Sequence, residues 1–145
     1  MNSYEPIKIS KTYNCTSEQL WSALTNINEM RKWYFEALPD FKPEVGFSTS
    51  FLLVNEGRKF THQFRVLEVD TGRMIKYTFN FAEYDGDGFV QFEITEAEGG
   101  CLLNFSSVVT KDYPSDIPEF KRESGVEGWN WFLGERLEGY LDTSK

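Results

Sequence analysis

The sequence predicts an α+β domain in which a curved antiparallel sheet of about six strands wraps a long C-terminal helix, with two short helices after the first strand. Three observations carry this. Between Phe47 and Val109, apolar and polar residues alternate in runs separated by turn residues. From Val126 to Leu141 the apolar spacing changes to three and four. Between the first strand and the later ones lie two segments with helix-capping signals.

The first strand is "PIKISKTYN", which sets Ile7, Ile9 and Tyr13 against Lys8, Ser10 and Thr12. In "TSEQLWSALTN", Thr16 is placed to N-cap a helix and Gln19 to complete a capping box. Leu20, Trp21 and Leu24 form the core face of that helix. "NINEMRKWYF" predicts a second short helix, capped by Asn26 or Asn28, with Ile27, Met30 and Trp33 or Tyr34 on its apolar edge. Pro39, Pro43 and Gly46 then mark a loop.

Five strand-like runs follow. Phe47, Thr49, Phe51 and Leu53 share one face, as do Phe60, His62, Phe64 and Val66. Ile75, Tyr77, Phe79 and Phe81 form a third set, Val90, Phe92 and Ile94 a fourth, and Leu103, Phe105 and Ser107 a fifth. The turns between them are "NEG", "DTG", "DGDG" and "EAEGG", and hairpin spacing implies a meander. In the tail, Val126, Trp129, Leu133, Leu137, Tyr140 and Leu141 make one helical stripe with Phe132 beside it. Gly125, Gly128, Gly134 and Gly139 interrupt it, which suggests either close backbone approach or a frayed N-terminal part. A sheet apolar on one face needs a cover, and this helix is the element long enough to supply it.

The 145 residues fit one domain, 1–145, able to bury roughly two thirds of its unfolded surface. At 40% hydrophobic and 26% charged the composition is that of an ordinary globular protein, but aromatics reach 17%, enough to fill a large core or line a cavity. The net charge of −8, without clustered Lys or Arg, excludes nucleic acid and anionic membrane surfaces as expected partners. No run of about 18 apolar residues predicts a membrane span, and the N-terminal stretch has no signal-peptide pattern, so a cytoplasmic location is expected. Cys15 and Cys101 lie far apart in the chain and read as buried thiols. With one histidine and two distant cysteines, no metal site and no cofactor are expected. Glu83, Asp85, Asp87 and Gly88 match early positions of a calcium loop, but Ile94 stands where the bidentate Glu should be, so this stretch reads as a hairpin turn.

Taken together, "LWSALTNINEMRKWY", "RVLEVDTGRMIKYTF", "EGGCLLNF" and "GWNWFLGERLEGYL" resemble the activator of heat-shock-protein-90 ATPase homologue (AHSA-type) family of the START-like, or SRPBCC, superfamily. The resemblance covers nearly the whole chain. It departs at Phe64, Cys101 and near Ser107, where the family usually carries Gly, Thr and His. It implies a helix-grip (Bet v-like) fold with a cavity between sheet and C-terminal helix that usually holds a small apolar ligand, lipid-, aromatic- or polyketide-like. Family members include ligand carriers, cyclases, dehydratases and co-chaperone domains, and fold alone does not choose among these.

Candidate ligand-binding residues are Trp33, Tyr34 and Phe35, placed at the cavity mouth, and Phe51, His62, Phe64, Tyr77, Phe79, Phe92, Phe105, Trp129, Phe132 and Leu133. Periodicity alone favours a solid aromatic core; the resemblance reverses this for the rings near the open end of the sheet. Tyr77, His62, Trp33 or Tyr34 would supply polar tips that orient a ligand. His62 reads either as a hydrogen-bonded core histidine or as a pocket acid–base group, but no nucleophile or partner is evident, and no catalytic residue is assigned. The expected function is binding of a small hydrophobic or amphipathic molecule, without catalysis. The alternatives are co-chaperone stimulation of a heat-shock-protein-90-like ATPase and a cofactor-independent cyclase or dehydratase. "KDYPSDIPEFKRESG" reads as an exposed connection that could cover the pocket, and a homodimer could form through the sheet edge.

Overall fold

The computed structural model describes residues 5–143. Strand β1 (Ile7–Tyr13) leads into α1 (Ser17–Thr25) and α2 (Ile27–Trp33). Then come β2 (Ser48–Asn55), β3 (Arg58–Asp70), β4 (Met74–Thr78), β5 (Asn80–Phe81), β6 (Asp87–Ala97) and β7 (Gly100–Lys111). The C-terminal helix is α3 (Arg122–Asn130), a π-helical turn (Trp131–Arg136) and α4 (Leu137–Thr143). The sheet runs β1-β7-β6-β4-β3-β2 with β5 beside β3, so it is curved but not closed. This is the predicted helix-grip arrangement.

Local sequence accounts for the helix starts. Thr16 Oγ1 accepts from Gln19 N–H at 3.1 Å while Gln19 Oε1 accepts from Thr16 N–H at 2.8 Å, so the capping box is complete. Asn26, not Asn28, caps α2: its Oδ1 accepts from the N–H groups of Asn28 and Glu29. Leu20 and Leu24 are buried, whereas Trp21 is only half-buried.

The described residues form seven strands, because the run from Arg73 to Phe81 divides at Phe79. At Thr78 the ladder opens. The Arg65 N–H donates to the Thr78 side-chain oxygen at 2.9 Å instead of to a backbone carbonyl, and the Phe79 N–H donates to Gly88 O at 3.0 Å. A bulge between Val66 and Glu68 lies just beyond. Both devices increase local bend. Past them, β5 rejoins β3 through His62↔Phe81 and Gln63↔Asn80.

The inner face then closes on the helix. Phe51, Phe64, Val66, Ile75, Tyr77, Val90, Phe92, Ile94, Leu103 and Phe105 are buried in one core with Trp129, Leu133, Leu137 and Leu141 of the helix, while Phe60, also buried, packs on Phe81, Tyr84 and Phe120. Tyr13, at the end of β1, donates its hydroxyl to Leu133 O at 2.7 Å. Within the π turn Leu137 N–H reaches back to Phe132 O, so the Leu133 carbonyl is released from that partner and taken by Tyr13. The helix is thus pinned to the first strand at its widest turn.

The helix glycines divide in role. A Cβ on Gly125 would meet Ile7 Cδ1 at 3.2 Å, so α3 approaches β1 there, but Gly128 would meet nothing within 4 Å. Gly86 is held at φ +124°, and a Cβ there would overlap the Tyr113 ring. Gly128→Ala should therefore raise stability by up to about 1 kcal/mol, or roughly 2–4 °C in Tm, while Gly86→Ala lowers it. Thermal melts read both directly, and a lower Tm for Gly128→Ala would contradict this account of the helix.

Candidate functional site

A cavity of about 560 Å³ lies at one end of the grip. Its floor comes from the first residues of β6 (Gly88, Phe89), the later part of β7 (Ser107–Val109) and Ile7 of β1. Phe79 and Phe81 form one flank and Trp129 with Gly125 of α3 the other. The segment from Asp112 to Lys121, which joins β7 to α3, crosses as a strap carrying Tyr113 and Phe120. That volume is ordinary for a small-molecule site.

The strap is fastened at both ends. The Tyr113 hydroxyl donates to Phe79 O at 2.7 Å, its ring stacks on Phe120 with centroids 4.9 Å apart, and glycine at positions 86 and 88 leaves room for it. Phe120 also meets the rings of Phe60, Phe81 and Tyr84. Beside it, Glu119 accepts two bonds from Arg58, at 2.9 and 2.8 Å, and one from Asn55 at 2.6 Å. The Arg58 guanidinium is the main reason that the Glu119 carboxyl is held down at about 2. Burial pushes the Tyr113 hydroxyl up, so it remains a donor to Phe79. Charges stand at the mouth: Glu5, Asp112 and Glu123 against Lys121 and Arg122. Arg122 also donates to Pro6 O at 3.1 Å, which ties the start of α3 to the start of β1.

Of the thirteen residues singled out from sequence, Phe79 and Trp129 line this cavity. Of the other eleven, Phe132 is half-buried against the core and the rest lie in the packed interior. Trp33, Tyr34 and Phe35, expected at the mouth, are buried at the centre. The polar tips of Trp33 and Tyr34, and those of Tyr77 and His62, are engaged internally. Trp33 Nε1 donates to Ala23 O at 2.7 Å, and the Tyr77 hydroxyl donates to that of Tyr34 at 2.9 Å. Burial pushes both of these tyrosines up. Phe35 packs against Phe51, His62, Phe64 and Phe132, and Phe92 and Phe105 meet each other and Trp129. Leu133, within the π turn, is fully buried. The cavity residues that sequence reasoning passed over include Ile7, Phe89, Val108, Tyr113 and Phe120. The last two carried a signal, being rings in an otherwise charged and proline-containing connection.

His62 sits 8% exposed among the rings of Phe35, Phe51, Phe79 and Phe81, with centroids 4.8–5.5 Å away. Nδ1 lies 3.1 Å from Phe60 O, and a carbonyl only accepts, so the proton of the neutral ring is on Nδ1. Burial pushes its pKa down to about 4, opposed by the Phe60 carbonyl and the Glu83 charge. A histidine depressed in the folded state contributes stability above its unfolded pKa of 6.5, and this is lost as pH falls from 6.5 towards 4. The window spans about 3 kcal/mol. His62→Phe should flatten the loss of stability between pH 7 and 4.5 by an amount of that order, read by urea unfolding at each pH. Identical slopes in both proteins would contradict a buried neutral imidazole.

Among the described residues, no helix is long and apolar enough to cross a membrane, and no cluster of three or more His, Cys, Asp or Glu could hold a metal ion. No curated protein matches the chain. Solved structures do. Protein MLL2253 from Mesorhizobium loti is 26% identical, superimposes with a TM-score of 0.78, and is matched over 97% of this chain and 99% of its own. CV1439 from Chromobacterium violaceum is 21% identical with a TM-score of 0.77, over 94% and 96% of the two chains. DynU16, a protein of the dynemicin biosynthetic locus, is 18% identical with a TM-score of 0.76; 97% of this chain corresponds to 48% of it. These likenesses agree with the helix-grip architecture. The family model "Activator of Hsp90 ATPase homolog 1-like protein" matches residues 14–142, and the chain belongs to that family.

Proposed function

We propose that the protein binds a small hydrophobic or amphipathic molecule in the cavity beneath the 112–121 strap. The observation that supports this is the cavity itself: about 560 Å³ walled by Phe79, Phe81, Phe120, Tyr113 and Trp129, within a molecule whose remaining interior is packed ring on ring. A ligand that buries roughly 300 Å² of apolar surface there gains about 7 kcal/mol before ordering costs, enough for useful affinity. Ser107 and the charged mouth would orient a polar end. Family membership is compatible with ligand binding, cyclase-like chemistry or chaperone contact. Binding is favoured over catalysis because His62, the imidazole that an acid–base mechanism would use, is sealed behind Phe79 and Phe81 and donates its Nδ1 proton to the Phe60 carbonyl, so it does not line the cavity. The buried residues Phe64, Phe92 and Phe105, packed behind Phe79 and Trp129, then act as the rigid backing of the site.

A chaperone-directed role draws on the family description and on Trp131, 46% exposed on the C-terminal helix. Stimulation of a heat-shock-protein-90-type ATPase would support it, and no stimulation at saturating protein would remove it.

Native mass spectrometry of protein from its own host should show a retained mass that denaturation releases. With 1-anilinonaphthalene-8-sulfonate as probe, fluorescence titration should saturate at one site. Phe120→Ala should weaken that site at least tenfold, about 1.4 kcal/mol, whereas Phe51→Leu, in the packed interior, leaves it within twofold. Equal weakening by both variants, or no saturable binding, would contradict a site under the strap.

A further inference from the structure

The antiparallel pairing of β1 with β7 has a chemical consequence at the end of the grip away from the cavity. It aligns Tyr13 opposite Cys101, the second residue of β7. Just past Tyr13 the chain curls back, with Cys15 N–H donating to Tyr13 O at 3.0 Å. The approach is close: a Cβ on Gly100 would overlap the Tyr13 carbonyl. Cys15 and Cys101, remote in sequence, thereby become hydrogen-bonding neighbours through their sulfurs, both as thiols. The core side of the pair is Cys101, 1% exposed, and Cys15 is half-buried beside it.

We propose that Cys15 and Cys101 are an oxidisable dithiol, a modification site that peroxide converts to an intramolecular disulfide. Their roles differ by position. Cys15 is the more accessible, half-buried just before Thr16, the N-cap of α1, and so is the one that peroxide reaches first. Cys101 is held as a thiol by its burial and by the nearby Glu96 and Glu18 carboxylates. The Cys15 thiolate attacks one peroxide oxygen, the O–O bond breaks, and the departing hydroxide takes a proton to become water, leaving a sulfenic acid at Cys15. The Cys101 sulfur then attacks the Cys15 sulfur. The S–S bond forms as the S–O bond breaks, and hydroxide leaves with the Cys101 proton as a second water. In sum, two thiols lose two electrons and two protons, and one hydrogen peroxide becomes two waters.

The product would staple the β1–α1 junction to the start of β7, beside Tyr13, whose hydroxyl holds the π turn. It leaves the ligand cavity at the opposite end untouched, so the proposal stands or falls apart from ligand binding.

Reduced full-length protein, treated with hydrogen peroxide and then denatured, should lose both titratable thiols and about 2 Da of mass while staying monomeric, with peptide mapping joining Cys15 to Cys101. Its Tm should rise by roughly 10 °C over the reduced form. Cys101→Ser should instead accumulate a dimedone-reactive sulfenic acid at Cys15. Retention of both thiols, mass gains from sulfinic or sulfonic acids, or disulfide-linked dimers in the wild-type protein would each overturn the proposal, whatever the variants do.

Discussion

The structure depends on one constraint: a sheet with a single apolar face must curl far enough for one helix to cover it. Flat, it would expose half of the aromatic side chains that the alternating strands direct inward. The curl is made at a definite place, where the Thr78 hydroxyl replaces a backbone partner for Arg65 and Phe79 turns its N–H to Gly88. Once bent there, Phe64 packs on Tyr77, Tyr77 on Phe92 and Phe92 on Trp129, and Tyr13 can reach the Leu133 carbonyl in the π turn.

A grip of this kind is unequal at its two ends. α1 packs on β6, β7 and α4, and α2 on α4, so that end is filled. Trp33, Tyr34 and Phe35 reach from the end of α2 into the middle, where their rings pack against Phe64, Phe51 and Phe132. At the other end the cover supplied by the described residues is the strap, and the helix beneath it begins with glycine-containing turns. Space remains there because the strap is held out by its own fastenings, Tyr113 on Phe79 and Glu119 on Arg58, rather than collapsed onto the sheet.

How much of this was legible in the sequence follows from the range of each interaction. The Thr16–Gln19 box, the hairpin turns and the inward parity of Phe60, His62 and Phe64 are local, and the structure has them as predicted. The helix stripe from Trp129 to Leu141 was equally plain. The division of β4 from β5 was not, because it rests on one side-chain hydroxyl standing in for a carbonyl. Nor was the π turn, since its cause is a tyrosine more than a hundred residues earlier. Alternation tells which face a ring occupies but not which end of the sheet it serves. Phe79 and Phe51 therefore looked alike in sequence, although one lines a cavity and the other stacks on His62. The approach of Cys15 to Cys101 needs the first strand to pair with the last, which spacing along the chain does not reveal.

The central claim is that the strapped end of the grip is a ligand site and the remainder a rigid core. A crystal structure of the protein purified from its own host tests it most directly. The account predicts density for a small molecule against Phe120, Tyr113 and Trp129, with His62 and its surrounding rings unmoved. A cavity closed by strap side chains, or ligand density among Phe35, Phe51 and His62, would contradict it.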